Sequence, residues 1–111
     1  MLYKFKSKST GDVIMLQANG QRILEIIGKD TRDGASEKGI ILAAQMPAAL
    51  AALEAAIALE EAEQKAALAQ AMARHEPAPR FEAISLRQRA VPLMDMLRQS
   101  SRAGHDIVWG V

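Results

Sequence analysis

The chain has 111 residues, of which 50% are hydrophobic and 4% aromatic, and its formal net charge is +1 at pH 7. This length fits one domain around one core. Cysteine is absent, which excludes a disulfide scaffold, a zinc–thiolate site and thiol catalysis. Residues 39–79 are acidic and the segments on either side are basic, but the small net charge indicates no polyanionic partner.

The N-terminal residues predict neither a secretory signal nor a membrane anchor. "MLYKFKSKST" has no apolar h-region. No run approaches the roughly 18 uncharged apolar residues that a spanning helix needs. We therefore expect a cytoplasmic protein that does not enter a membrane.

Two strands open the chain. In "LYKFK", Leu2, Lys4 and Lys6 share one face, while Tyr3 and Phe5 share the other, and this alternation is typical of a strand. A polar turn ending in glycine follows, and "DVIML" then predicts the second strand of a hairpin.

A short helix and a third strand come next. Asn19 is predicted as the N-cap of a helix that Gly28 ends in a left-handed turn. The segment from 29 to 39 is predicted as a loop, with Asp33-Gly34 as its sharpest turn signal. "IIL" at 40–42 predicts a buried strand.

The stretch after Met46 is the most helical of the chain. Pro47 fits a first helical turn, where its missing N–H costs nothing. We expect a core helix to about residue 59, which either continues or breaks into an exposed alanine-rich helix ending near residue 74. "PAPR" then stops it, so residues 60–82 are interpreted as an exposed helical and linker stretch of one domain spanning residues 1–111.

The last helix is predicted over 86–103. Ser85 and Gln88 have the spacing of a capping box, and Gly104 fits a C-cap. Pro92 lies inside the pattern and is expected to kink the helix. The alternative is a shorter helix that starts at Pro92.

"DIVW" near the C-terminus predicts a closing strand with Ile107 and Trp109 on one face. The elements then follow in the order β-β-α-β-α(α)-α-β. The fold class is α+β, a single domain in which helices at 46–59 and 86–103 cover one face of a four-stranded, mostly antiparallel sheet.

Several blocks together carry a family resemblance. "MLYKFKSKSTGDVIML", "ILEIIGKD", "KGIILAAQMPAALAALEAAI", "SLRQRAVPLMDMLRQS" and "GHDIVWGV" resemble a bacterial family of small proteins catalogued as domain of unknown function 1840. The likeness spans nearly the whole chain except about 60–80. It implies a small stand-alone bacterial protein without an assigned activity, and it carries over no site residues.

Nucleic-acid binding is not favoured. Lys4, Lys6 and Lys8 alternate with Tyr3 and Phe5, so the lysines and aromatic rings lie on opposite faces of a strand, whereas a base-stacking platform needs its aromatic rings exposed.

Metal binding and catalysis also lack a motif. His75 and His105 have no metal-ligand spacing, and no nucleophile elbow is present. His105 and Asp106 are neighbours on an extended segment, so their side chains point to opposite faces. We predict no cofactor, no metal site and no catalytic residues.

Partner binding is the favoured function. The sequence predicts a non-enzymatic interaction module that binds a protein partner or a second copy through a helical surface. The predicted surface contains Leu68, Met72 and Met96, with Arg98 and Arg102 at its rim, because methionine adapts to varied surfaces. Met94 and Met96 lie about two hundred degrees apart around a helix, so one core stripe is not expected to hold both.

The alternative function is a small anionic-ligand-binding domain. Arg87 and Arg89 are its candidate contacts, since guanidinium groups bind carboxylates and phosphates well. An uncharacterised enzyme is the third and weakest hypothesis.

Overall fold

The structure, a computed structural model, describes residues 2–29 and 38–110. Within these residues, four strands and three α-helices follow in the predicted order, and the stretch that was predicted as one or two helices forms one helix. They are β1 (Leu2–Lys6), β2 (Val13–Leu16), α1 (Gln17–Ile27), β3 (Gly39–Ile41), α2 (Met46–Ala73), α3 (Leu86–Ala103) and β4 (Ile107–Trp109). The predicted turn at Asp33-Gly34 lies outside the described residues.

The four strands form one antiparallel sheet in the order β2-β1-β4-β3. The closing strand β4 lies between the first strand and β3. Phe5 pairs with Trp109, and Trp109 pairs with Gly39. This confirms the α+β fold class and the predicted four-stranded sheet.

The core lies between the inner face of this sheet and the helices. Tyr3, Phe5, Ile107 and Trp109 are buried on that face, as the alternation predicts. The rings of Phe5 and Trp109 lie 5.6 Å apart and are tilted, a favourable aromatic geometry. A Cβ atom at Gly39 would collide with the indole ring, so glycine is required opposite the tryptophan.

The helices contribute the other side of the core. α2 packs on α1 and α3, and α1 also packs on β1 and β2. Leu24, Met46, Leu53, Leu93 and Leu97 are fully buried among them. The sheet is therefore covered on one face, and α1 takes a larger share of this cover than the sequence predicts.

The predicted N-cap of α1 is wrong. The helix starts at Gln17, directly after β2, and Leu16 occupies the cap without a side-chain hydrogen bond. Asn19 lies inside the helix, and its Oδ1 accepts a hydrogen bond of 2.7 Å from Arg89. Gly28, in contrast, ends the helix at φ 100°, as predicted.

β3 is less buried than its apolar sequence predicts. Ile41 is buried, whereas Ile40 is exposed on the opposite face. Leu42, the third residue of the predicted strand, lies just after β3 and is also exposed. The difference arises because the sheet is covered on one face, so β3 alternates instead of being buried throughout.

α2 is one long helix and not two, because it runs without a break from Met46 to Ala73 with Pro47 in its first turn.

α3 also has its full predicted length. Ser85 Oγ accepts from the backbone amide of Gln88, and Gln88 Oε1 accepts from the backbone amide of Ser85, which forms the predicted capping box. Pro92 lies inside α3, so the shorter helix starting at Pro92 is wrong, and Gly104 is the C-cap at φ 72°.

The burial of Trp109 makes a stability prediction. Replacing Trp109 with alanine removes the ring between Phe5 and Gly39, so we expect a loss of about 3–5 kcal/mol in unfolding free energy. Urea denaturation followed by circular dichroism measures it. Leu2→Ala is the control, because Leu2 is exposed on the other face and its replacement is expected to change stability by about 0.5 kcal/mol or less. An unchanged midpoint for Trp109→Ala contradicts the packing role.

Candidate functional site

The predicted partner surface divides into exposed and buried residues. Leu68 and Met72 are 40% and 77% exposed on the C-terminal part of α2. Arg102 is exposed in the last turn of α3. Met96, however, is 2% exposed and belongs to the core, so its assignment to the surface is wrong.

The burial of Met96 follows from the width of the face that α3 buries. Met94 and Met96 are both buried, although they lie on opposite flanks of the helix. α3 packs against α2, against β2 and against the turn before α2, so its buried face is wider than a single stripe. No single stripe holds both methionines, as expected, but the inference that Met96 therefore lies on the surface is wrong.

Arg98 is paired within its own chain. It contacts Asp95, three residues earlier on α3, at 3.1 Å, and Glu54 of α2 at 3.5 Å. Both pairs are partly exposed, and such pairs contribute little to stability. Two contacts join α3 to α2, namely Arg98 with Glu54 and Arg87 with Glu61. The later residue of α3 pairs with the earlier residue of α2, so the two helices run antiparallel.

Arg87 makes the best-defined ion pair. Its Nε and Nη2 atoms donate to the two carboxylate oxygens of Glu61 at 2.9 and 2.8 Å, a bidentate arrangement. These hydrogen bonds and the opposite charge lower the pKa of Glu61 and raise the pKa of Arg87. The pair joins the first turn of α3 to α2.

Arg89 is also engaged by neighbouring groups. It donates to Asn19 at 2.7 Å and contacts Glu82 at 3.2 Å. It lines a cavity of about 380 Å³ together with Arg22, but Glu60, Glu63 and Glu82 line the same cavity. Because the carboxylates outnumber the arginines, this cavity does not favour an anion.

The histidines do not assemble a catalytic relay among the described residues. His105 Nδ1 lies 2.6 Å from Ser9 Oγ, and the Asp106 carboxylate accepts from the backbone amide of Ala43 at 2.9 Å. His75 is exposed beyond α2. Within residues 2–29 and 38–110, no group of three or more potential ligands is placed to hold a metal ion.

Two exposed apolar surfaces stand out instead. The first surface lies on α2. The N-terminal end of α3 lies beside Glu61, so residues 62–73 of α2 extend beyond the end of α3. Leu59, Leu68 and Met72 are exposed there. A stripe of exposed alanines also follows the helix at spacings of three and four residues: Ala51, Ala55, Ala58, Ala62, Ala66, Ala69 and Ala73. The sequence indicated this surface through its alanine-rich composition.

The second surface is the outer face of the sheet, which the sequence analysis missed. Leu2, Ile14, Leu16 and Ile40 are exposed there by 61%, 54%, 63% and 42%. The strand alternation that placed Leu2 beside the lysines was a usable signal for this face. It indicated the orientation of each strand, but only the strand order shows which apolar residues are neighbours.

α2 also meets the length and composition criteria for a helix that spans a membrane. The sequence predicted no such helix, because no apolar run of sufficient length is free of charged residues. The segment is Ala43–Ala73, and 22% of its most apolar window is buried within the fold. Core helices of water-soluble proteins pass the same test, so this property alone is weak support for insertion. It does show that α2 is an apolar helix with little of its surface covered.

The comparisons with known proteins agree with the sequence resemblance. A family model described as Domain of unknown function (DUF1840) matches residues 1–109. The chain belongs to the DUF1840 family. The DUF1840 match includes the stretch around 60–80, which lay outside the likeness seen in the sequence blocks. The searches of curated proteins and of solved structures each found no match, so family membership assigns no activity and no site residues.

The Arg87–Glu61 pair of this DUF1840 protein gives a pH prediction. Since the folded-state pKa of Glu61 is lowered, the pair stabilises the fold above the ordinary glutamate pKa, and this contribution is lost as the pH falls through the lowered value. We expect Arg87→Gln to raise the pKa of Glu61, as measured by an NMR titration of its carboxyl carbon. Arg74→Gln is the control and should leave it unchanged. Equal Glu61 titrations in Arg87→Gln and the unmodified protein contradict the pairing.

Proposed function

We propose that the protein is a non-enzymatic interaction module that self-associates through α2. One observation carries the proposal: α2 is a 28-residue apolar helix of which five residues are buried, namely Met46, Ala49, Leu53, Ile57 and Ala71. A helix of this composition is normally covered by other protein. The fold leaves most of it in contact with solvent.

The dimensions of the molecule support an uncovered surface. Its accessible surface is 7150 Å², whereas a compact monomer of 12.0 kDa is expected to have about 6,000 Å². Its radius of gyration is 16.1 Å, compared with about 13 Å for a compact chain of this length. The excess area is of the order that one partner buries in a stable dimer, about 800 Å².

The side chains of α2 favour a second copy in antiparallel orientation. Small residues allow two helices to approach closely, and two copies related by a twofold axis near residue 64 align their alanine stripes. Ala62 then faces Ala66 of the second copy.

The proposal retains part of the predicted surface. Met72 lies at the edge of the alanine stripe and becomes partly covered by the second helix, whereas Leu68 lies roughly 100° around the helix from Ala69, toward the buried face. Arg98, which pairs with Glu54, and Arg102 lie on α3, outside the segment that pairs. Met96 has no role, because it belongs to the core. Arg87 and Arg89 already pair with carboxylates, so anion binding by these arginines is not favoured.

The oligomeric mass and its response to substitution test the proposal. Native mass spectrometry and sedimentation are expected to show a dimer whose population rises with protein concentration. Ala62→Glu and Ala66→Glu each place a charge at the helix contact, so we expect at least roughly tenfold weaker dimerisation for either variant. Helix content should remain, because glutamate is a good helix former.

Ala48→Glu is the matched control for these variants. It makes the same substitution at another exposed position of α2, in the first turn, where a carboxylate is favourable. The control is expected to dimerise like the unmodified protein. A protein that stays monomeric at high concentration overturns the proposal, and so does a dimer that both stripe variants leave intact.

A further inference from the structure

The outer face of the sheet combines apolar and basic side chains in a fixed arrangement. At one end Leu2 pairs with Leu16, and Lys4 pairs with Ile14. At the other end Lys6 pairs with Val108, and Val108 pairs with Ile40. Lysines therefore occupy the middle of the face, with an apolar group on either side.

The charge on this face has one predominant sign. Lys8 extends the row of lysines beyond β1 and lines a shallow depression of about 560 Å³ whose other walls include Lys6, Ile40, His105 and Val108. Asp106 also lies at the depression, where its carboxylate accepts a hydrogen bond from the amide of Ala43 and offsets part of this positive charge. Asp12 lies at the end of the hairpin, before β2. The described part of the face is thus apolar and net positive.

We propose that the outer face of the sheet binds an acidic amphipathic segment of a different protein. The apolar side chains of that segment would pack on Leu2, Ile14 and Leu16 at one end and on Ile40 and Val108 at the other. Its carboxylates would contact Lys4 and Lys6 between the two groups. Charge complementarity selects this partner, because the surface offers ammonium groups within reach of apolar contacts.

Two other occupants fit the face less well. A second copy docked face to face would bring Lys4 and Lys6 against the same lysines, and such like-charge contacts are unfavourable. A nucleic acid matches the charge, but the aromatic rings Tyr3, Phe5 and Trp109 are all buried on the inner face and cannot stack on its bases.

This inference does not depend on the self-association of α2. The outer face belongs to β1, β2, β3 and β4, whereas the proposed dimer contact lies on a helix beyond the opposite face of the sheet. Both surfaces are therefore available in one assembly. The variants that test the two proposals lie on different elements, so one proposal can fail while the other holds.

Peptide titration of the full chain tests the inference. The probe is a synthetic amphipathic peptide of leucine and glutamate, and its controls carry lysine or glutamine in place of every glutamate. Calorimetry measures affinity, and backbone amide shifts in NMR spectra locate the contact. A single-stranded oligonucleotide of matched charge is titrated in parallel.

We expect the glutamate peptide to bind, to shift the amides of β1, β2 and β4, and to bind more weakly as salt rises. Lys4→Glu and Lys6→Glu are each expected to weaken binding roughly tenfold. The control Arg80→Glu makes a similar charge change at an exposed position between α2 and α3 and should leave binding unchanged. Ile14→Ser, at an exposed position of β2, should also weaken binding through the lost apolar contact.

Four results would overturn the inference. They are no binding of the glutamate peptide, equal binding of the lysine or glutamine peptide, amide shifts confined to α2, and tighter binding of the oligonucleotide. The unfolding midpoint of each variant is measured alongside. All of the substituted side chains lie outside the core, so an unchanged midpoint shows that lost affinity reports the contact and not the fold.

Discussion

Pairing between the first and last strands is the constraint on which the rest of the structure depends. β4 hydrogen-bonds to β1 on one side and to β3 on the other, so three residues connect the N-terminal hairpin to the remainder of the sheet. The indole of Trp109 secures this position by packing between Phe5 and the bare backbone of Gly39. Contacts between residues so distant in sequence carry a large loop-closure cost, which the burial of the large aromatic ring helps to offset.

The size of this sheet determines which surfaces remain uncovered. Its strands have at most five residues, about 17 Å, whereas the 28 residues of α2 extend about 42 Å. A helix of that length cannot be covered by so short a sheet, and α3 begins only beside Glu61. Because α1 and α3 pack on the inner side of the sheet and α2 packs on these two helices, the outer face of the sheet has no cover among the described residues. The exposed surface of α2 thus follows from the difference in length between α2 and the sheet. The exposed outer face follows from the packing of the helices on the inner side of the sheet alone.

Local patterns predicted most of the elements, and tertiary packing explains the failures. The alternation in β1, the capping box of Ser85 and Gln88 and the glycine ends of two helices are encoded within a few residues, and all are present. Asn19 has the composition of an N-cap, but α1 starts earlier and Arg89 takes the amide oxygen. Met96 was misassigned because the buried width of α3 depends on its neighbours. The outer-face cluster required the strand order, which no local pattern contains.

The two exposed surfaces differ in a way that assigns them different partners. Along α2, the exposed stripe consists of alanines, so two copies of this surface meet without opposing like charges. The outer face of the sheet has lysines at its centre and repels its own copy. An uncharged apolar stripe favours self-association, whereas a surface of one sign favours an unlike partner. Self-association through α2 would present two such basic faces in one assembly, and a partner with two acidic segments would then bind with an avidity that neither contact provides alone.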